Sequence, residues 1–235
     1  MNLQRLDKII ASQLNISRSD TKSDIRKGFV TVDGITVRDP SALFCPDKVS
    51  ISHRGQAVRF MEHIYVVLNK PKGVLSASND KKRKTVVDLV PDCLYRSALA
   101  PVGRLDKDTT GLLIITDDGQ FAHKVISPKS DISKVYEVLL DADIPVSAVE
   151  EFSRGVALSD GTRCLPAKLE ILESRLARVE IKEGKYHQIK RMFGVVGLGV
   201  VELKRLSIGG FNLPKELDEG ECRELTSEEL SQIIA

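Results

Sequence analysis

Residues 100–116 read Ala100-Pro101-Val102-Gly103-Arg104-Leu105-Asp106-Lys107-Asp108-Thr109-Thr110-Gly111-Leu112-Leu113-Ile114-Ile115-Thr116. The run from Leu112 to Thr116 is apolar, of strand length, and stopped by Asp117-Asp118-Gly119, which predicts a strand. The part before it is a polar loop bracketed by Gly103 and Gly111, with two acids and two bases between Arg104 and Asp108. Loops carried by a rigid scaffold are where chemistry is usually placed. A carboxylate beside fixed cations stays ionised at neutral pH and can then act as a nucleophile at a sugar carbon. Taken alone, the loop better suits an exposed turn whose Asp106 or Asp108 caps backbone N–H groups.

The elements around this loop set the fold class. Upstream, Ile64 to Asn69 is a buried-strand run closed by Lys70-Pro71-Lys72-Gly73, and residues 76–84 form a loop rich in Ser, Asn, Asp and basic residues. Val86 to Val90 begins another element. Downstream, residues 119–127 read as a helix and Lys134 to Leu140 as an alternating strand. Val146 to Gly155 is a helix ended by its glycine, and Ala167–Leu172 with Arg175–Ile181 a hairpin. His187 to Val196 is a further helix and Val200–Ile208 a strand. Mostly antiparallel strands interspersed with a few helices predict an α+β domain over residues 63–235. The polar stretch 53–62 reads as a linker.

Residues 1–52 have a different texture. Leu3, Leu6, Ile9, Ile10 and Leu14 recur at helical spacing. Ser17 is placed to cap a second helix that runs to Lys27 before Gly28, with Asp20 three residues on. Asp33-Gly34 between β-branched runs signals a hairpin. Lys22 and Arg26 share one face of the second helix. Ser17 and Arg18 stand at its start, where free N–H groups and the helix dipole favour a phosphate.

Composition narrows the setting. The net charge is +2, but residues 1–60 carry ten Lys and Arg against six Asp and no Glu. Seven acids against Arg223 alone fall in the last twenty residues, so the remainder is near +8 and suits a polyanionic partner. Cys45, Cys93, Cys164 and Cys222 are scattered, without zinc or disulfide spacing. No apolar run reaches transmembrane length, and Met1 to Arg5 lacks the apolar stretch of a signal peptide, so a cytoplasmic protein without membrane association is expected. The sequence offers no site for a metal or cofactor.

Arg5-Leu6-Asp7-Lys8, Ser17-Arg18-Ser19, Ile25-Arg26-Lys27-Gly28 and Val30-Thr31-Val32-Asp33-Gly34, in this order, resemble the S4 RNA-binding domain. That resemblance implies RNA contacts from Arg5, Ser17, Arg18, Lys22, Arg26 and Lys27. Gly103 to Leu112 resembles the signature of bacterial rRNA pseudouridine synthases, within them the branch named for the small-subunit synthase A. It implies that Asp106 is the nucleophile and that Arg104 engages RNA and helps hold the flipped nucleotide, with Asp108 and Thr109 shaping the loop. Ser133 to Val138 resembles the strand that supplies an active-site tyrosine, here Tyr136. Glu183-Gly184-Lys185-Tyr186-His187-Gln188-Ile189-Lys190-Arg191 resembles the segment that supplies the basic partner of the nucleophile.

Lys190 takes that role by the resemblance, with Arg191 the adjacent alternative. The two point about 100° apart on a helix, so they do not both reach Asp106. Gln188 is assigned to RNA, His187 to structure or RNA, and Leu203 in the last strand to the wall of the base pocket. No cofactor is implied. The resemblance further implies a monomer acting on ribosomal RNA within a small-subunit assembly intermediate, at uridine 516 of 16S rRNA in bacterial numbering. A 23S rRNA synthase and a non-catalytic ribosome-assembly protein are the alternatives. The first is disfavoured by Lys185 to Lys190, where large-subunit relatives tend to be Arg-rich. The second needs no Asp106, Tyr136 and Lys190 together.

Overall fold

The computed structural model describes residues 3–234; Met1 and Asn2, read above for a signal sequence, and Ala235 lie outside the described residues. The chain forms two compact units, one reaching to Ile64 and including Tyr95–Ala98, the other comprising Tyr65–Leu94 and the residues from Leu99 onward. Among the described residues no helix is long and apolar enough to cross a membrane.

The first unit contains β1 (Gln4–Arg5), α1 (Leu6–Leu14), α2 (Arg18–Lys27), β2 (Val30–Val32), β3 (Ile35–Thr36), β4 (Leu43–Phe44), β5 (Ile51–His53) and β6 (Gln56–Val58). Leu6, Ile9 and Ile10 of α1 meet Ile25 of α2 and Val30, Val32 and Ile51 of the sheet in one core. Helical spacing on α1 and alternation on β2 therefore point into the same apolar volume. Ser17 caps α2, its hydroxyl accepting from the Asp20 N–H at 3.1 Å. The sheet order is β3-β2-β5-β6.

The stretch expected to be a linker is corrected here: Gln56–Val58 is a strand paired antiparallel with Ile51–His53. Arg54 and Gly55, at φ of 52° and 80°, make the same kind of two-residue turn as Asp33 and Gly34 at 49° and 79°. Arginine seldom adopts a left-handed backbone. Here its guanidinium is anchored 2.9 Å from Asp24, whose other oxygen lies 2.8 Å from His53 Nε2.

The second unit contains β7 (Tyr65–Lys70), β8 (Ala100–Pro101), β9 (Thr110–Thr116), α3 (Gly119–Ile126), β10 (Lys134–Leu140), α4 (Ser147–Arg154), β11 (Lys168–Glu173), β12 (Leu176–Ile181), α5 (Gln188–Val195), β13 (Val200–Ile208), β14 (Phe211–Asn212), β15 (Cys222–Glu224) and α6 (Ser227–Ile234). The main path of the sheet runs β11-β12-β10-β13-β9-β7-β15. Its pairings are antiparallel except that of β13 with β9, which is parallel. The result is the mixed, mostly antiparallel sheet of an α+β domain.

Strand β9 is buried throughout. Leu112 and Ile114 pack with Val67, Ile208, Val125 of α3 and Ile233 of α6. This strand starts where the polar loop ends, so the loop is delivered at the parallel β9–β13 seam.

Candidate active site

The loop from Gly103 to Thr109 is tied down from beneath. Lys70, the last residue of β7, is fully buried. Its ammonium donates to the carbonyls of Pro71, Lys107 and Thr109 at 3.0, 3.3 and 2.9 Å. Burial pushes this ammonium down to about 8, opposed by the charges of Asp108 and Asp106. Ser76 closes a two-way bond with Leu105, donating to its carbonyl at 2.8 Å and accepting from its N–H at 3.1 Å. At the far end Gly111 has φ +97°, and a Cβ there would stand 2.3 Å from the Arg205 carbonyl oxygen. Only glycine lets β9 come this close to β13.

Asp106 emerges from this scaffold between two bases. Lys190 Nζ lies 3.2 Å from its Oδ2 and 2.6 Å from Asp108 Oδ1. His187 Nε2 lies 3.4 Å from Asp106 Oδ1. Burial works against the charge on Lys190, but the Asp108 hydrogen bond and the Asp106 charge outweigh it and hold its pKa above the usual lysine value. Asp108 is held below the usual carboxylate range, first by the Lys190 hydrogen bond.

A pocket opens beside Asp106. Its lining includes the apolar side chains of Leu105, Tyr136, Ile181, Ile189 and Leu203, along with Arg104, Lys185 and His187. Tyr136 and Leu203 are buried. They come from neighbouring antiparallel strands, in which Tyr136 stands opposite Arg205 and Val138 opposite Leu203. The concavity therefore offers a carboxylate, cations around it and an apolar wall.

The structure thus gathers Asp106, Arg104, Tyr136, Lys190 and Leu203 in one place. It separates Arg191, whose guanidinium lies 2.6 Å from Asp160. Of the two adjacent bases it is Lys190 that faces Asp106. Gln188 borders the pocket, but its amide is committed within the protein, bonded to Glu183 Oε1 at 2.8 Å and the Lys185 N–H at 2.9 Å. Asp108, expected only to shape the loop, shares Lys190 with Asp106. His187, expected to be structural or to contact RNA, reaches the Asp106 carboxylate.

In the first unit Arg18, Arg26 and Lys27 are exposed on α2. Arg5 lies 2.9 Å and Lys22 4.0 Å from Asp7, and Ser17 serves as the helix cap. Sequence reasoning does not single out Arg205. It is buried, donates from Nε to the Leu112 carbonyl at 2.7 Å, and reaches Tyr136 Oη from Nη1 at 3.4 Å. Its place two residues after Leu203, hence on the same face of the strand, is the available signal. Among the described residues no group of three His, Cys, Asp or Glu side chains is arranged to hold a metal ion.

A profile of RNA pseudouridylate synthases matches residues 64–194, and one of the S4 domain matches residues 4–49. The chain belongs to the RNA pseudouridylate synthase family. It is 43% identical to an uncharacterized RNA pseudouridine synthase of Bacillus subtilis, YtzG, over 96% of each chain. It is 40% identical to the ribosomal small subunit pseudouridine synthase A of Escherichia coli K12, over 98% of this chain and 100% of that one. A crystal structure of a pseudouridylate synthase superposes with a TM-score of 0.70 at 35% identity, covering 98% of this chain and 99% of the other. Within this pseudouridylate synthase, the Asp106 pocket lies on elements of the synthase domain, and α2 belongs to its S4 domain.

Proposed function

We propose that this chain converts uridine 516 of 16S rRNA to pseudouridine, with Asp106 as the nucleophile. The observation that carries this reading is the carboxylate of Asp106 set between Lys190 and His187 beside the apolar wall of Tyr136 and Leu203. The small-subunit target is supported by full-length likeness to the small subunit pseudouridine synthase A.

The reaction moves the ribose C1′ from N1 of the base to C5. The N1–C1′ bond breaks, a C5–C1′ bond forms, C5 loses a proton and N1 gains one, so no outside donor or oxidant enters. A uridine in structured RNA first leaves its stack. Arg104 at the pocket mouth holds the extruded nucleotide. Asp106 then acts on the ribose, by attack at C1′ or proton removal at C2′, and Lys190, paired with it at 3.2 Å, orients it. Tyr136 and Leu203 retain the detached base while it turns. Residues 1–52 supply RNA affinity, residues 63–235 the chemistry, and an assembling small subunit presents the substrate.

Asp106→Asn is expected to abolish pseudouridine formation while RNA binding stays within a few fold. Retained activity would show that Asp106 is not the nucleophile. Mapping pseudouridine in rRNA of cells lacking the protein tests the target, with loss confined to uridine 516 as the expected result. Loss elsewhere overturns the target, and no loss anywhere favours an RNA-binding role without catalysis.

A further inference from the structure

Tyr186 is 75% exposed, a large aromatic ring left in solvent beside the Asp106 pocket. Its ring lies on that of His187, with centroids 3.9 Å apart and planes 19° from parallel. His187 in turn reaches Asp106 at 3.4 Å. We propose that Tyr186, stacked on His187 at the pocket mouth, is a platform for an unpaired RNA base neighbouring the extruded uridine. The proposal deepens the function proposed above and rests on it.

The mount of this ring is rigid. His187 takes a left-handed backbone, φ +47°, immediately before α5. The turn leading to it is fixed by two buried side chains. Glu183 accepts from Gln188 and from the Leu165 N–H, each at 2.8 Å, while the Gln188 carbonyl oxygen accepts from the Lys185 N–H at 2.9 Å. A ring held in this way loses little freedom on binding, so stacking on it carries a small entropic penalty.

Its surroundings select the partner. Arg104 and Lys185 border the pocket, and Lys107 is exposed on the same loop as Asp106. A flat ring amid cations suits a nucleobase on a phosphate backbone. One face of the Tyr186 ring is covered by His187, so a base stacks on the other. The imidazole intervenes between that ring and Asp106, so the base on Tyr186 is a neighbour of the reacting uridine, which goes to Tyr136. Extrusion strips the neighbours of the target of a stacking partner. Tyr186 restores one.

The chain contains no tryptophan, so Tyr186→Trp creates a single fluorescent reporter at this position. In an Asp106→Asn background, titration with a 16S rRNA fragment spanning the target is expected to quench its emission. The quench is expected to vanish when the nucleotides on either side of the target are abasic. In the active protein, Tyr186→Ala is expected to raise KM roughly 5- to 100-fold, with the loss on KM rather than kcat and with Tyr186→Phe close to wild type. Against the abasic RNA, Tyr186→Ala and wild type should converge. Unchanged KM for Tyr186→Ala on intact RNA, or an unquenched tryptophan on bound RNA, overturns the platform. If the quench appears but the active protein makes no pseudouridine, the functional reading fails and the platform stands.

Discussion

Lys190 pairs with two carboxylates in different surroundings. Its bond to Asp108 is the shorter, yet Asp108 is largely exposed, whereas Asp106 is mostly enclosed in the pocket. If Asp106 does the chemistry, Asp108→Asn releases Lys190 to it and leaves kcat within about tenfold, while Asp106→Asn removes product entirely. Equal losses for the two variants would show that the pair acts as a unit. Lys190→Met removes a charge-assisted bond of about 1.5–3 kcal/mol, so kcat is expected to fall roughly 10- to 100-fold, with Lys190→Arg recovering most of it. Single-turnover rates with saturating enzyme measure this free of RNA affinity. Asp106, Tyr136 and Lys190 were legible because each sits in a segment whose order resembles a known family. His187 and Arg205 were not, for a physical reason. His187 reaches Asp106 through a left-handed turn that periodicity does not reveal, and Arg205 is a buried cation in a strand whose alternation says only which way it points.

Element by element, β7, β9 to β13 and α3 to α5 of the second unit were readable from alternation and 3.6-residue spacing, whereas the short strands β8, β14 and β15 and the helix α6 were not read. Nor was β6 of the first unit, because its turn places an arginine where Asn, Asp or Gly usually signals a hairpin. The seam that carries the site was half legible. Gly111 was visible as a loop boundary, but its closeness to β13 appears only in the fold. Gly111→Ala forces a Cβ onto the Arg205 backbone in a left-handed conformation, so a loss of about 3 kcal/mol or more is expected, or a drop in Tm of roughly 6–12 °C. A thermal melt with unchanged Tm would mean that the β9–β13 seam yields freely.

Lys70 gives the same seam a pH signature. Its folded pKa near 8 lies below the ordinary 10.5, so between these values the unfolded chain binds the extra proton and stability rises with pH. The carbonyls that accept from it favour the ammonium, which narrows this window from its lower edge. Lys70→Met lacks the rise, so the stability of the wild type relative to the variant should increase between about pH 8 and 10.5, by at most about 3 kcal/mol. Denaturant melts at both ends of that window measure it, and a flat difference would place the titration of Lys70 outside it.

For the whole molecule, the net charge of +2 conceals how the charge is distributed. The acid-rich end contributes Glu216 and Glu229 to ion pairs with Arg223, at 3.8 and 2.7 Å, so part of the negative charge is internally neutralised. In the S4 unit, Asp7 likewise occupies Arg5 and lies near Lys22, whereas Arg18, Arg26 and Lys27 are exposed. Affinity for RNA should therefore depend unequally on residues that the S4 resemblance treats alike. Each phosphate of single-stranded RNA that the protein neutralises adds about 0.7 to the steepness of log K against log salt. Replacing Arg18, Arg26 and Lys27 together by Gln is expected to reduce the slope by roughly 2, whereas Arg5→Gln, acting on a residue already paired within the protein, should change it by well under 1. Because these residues lie outside the synthase domain, kcat at saturating RNA should not move in the triple variant. Filter binding across a salt series, with single-turnover rates at saturation, reads both quantities. An unchanged slope for the triple variant would remove α2 from the RNA interface, and a fall in kcat would mean that the S4 domain shapes the chemistry as well as the affinity.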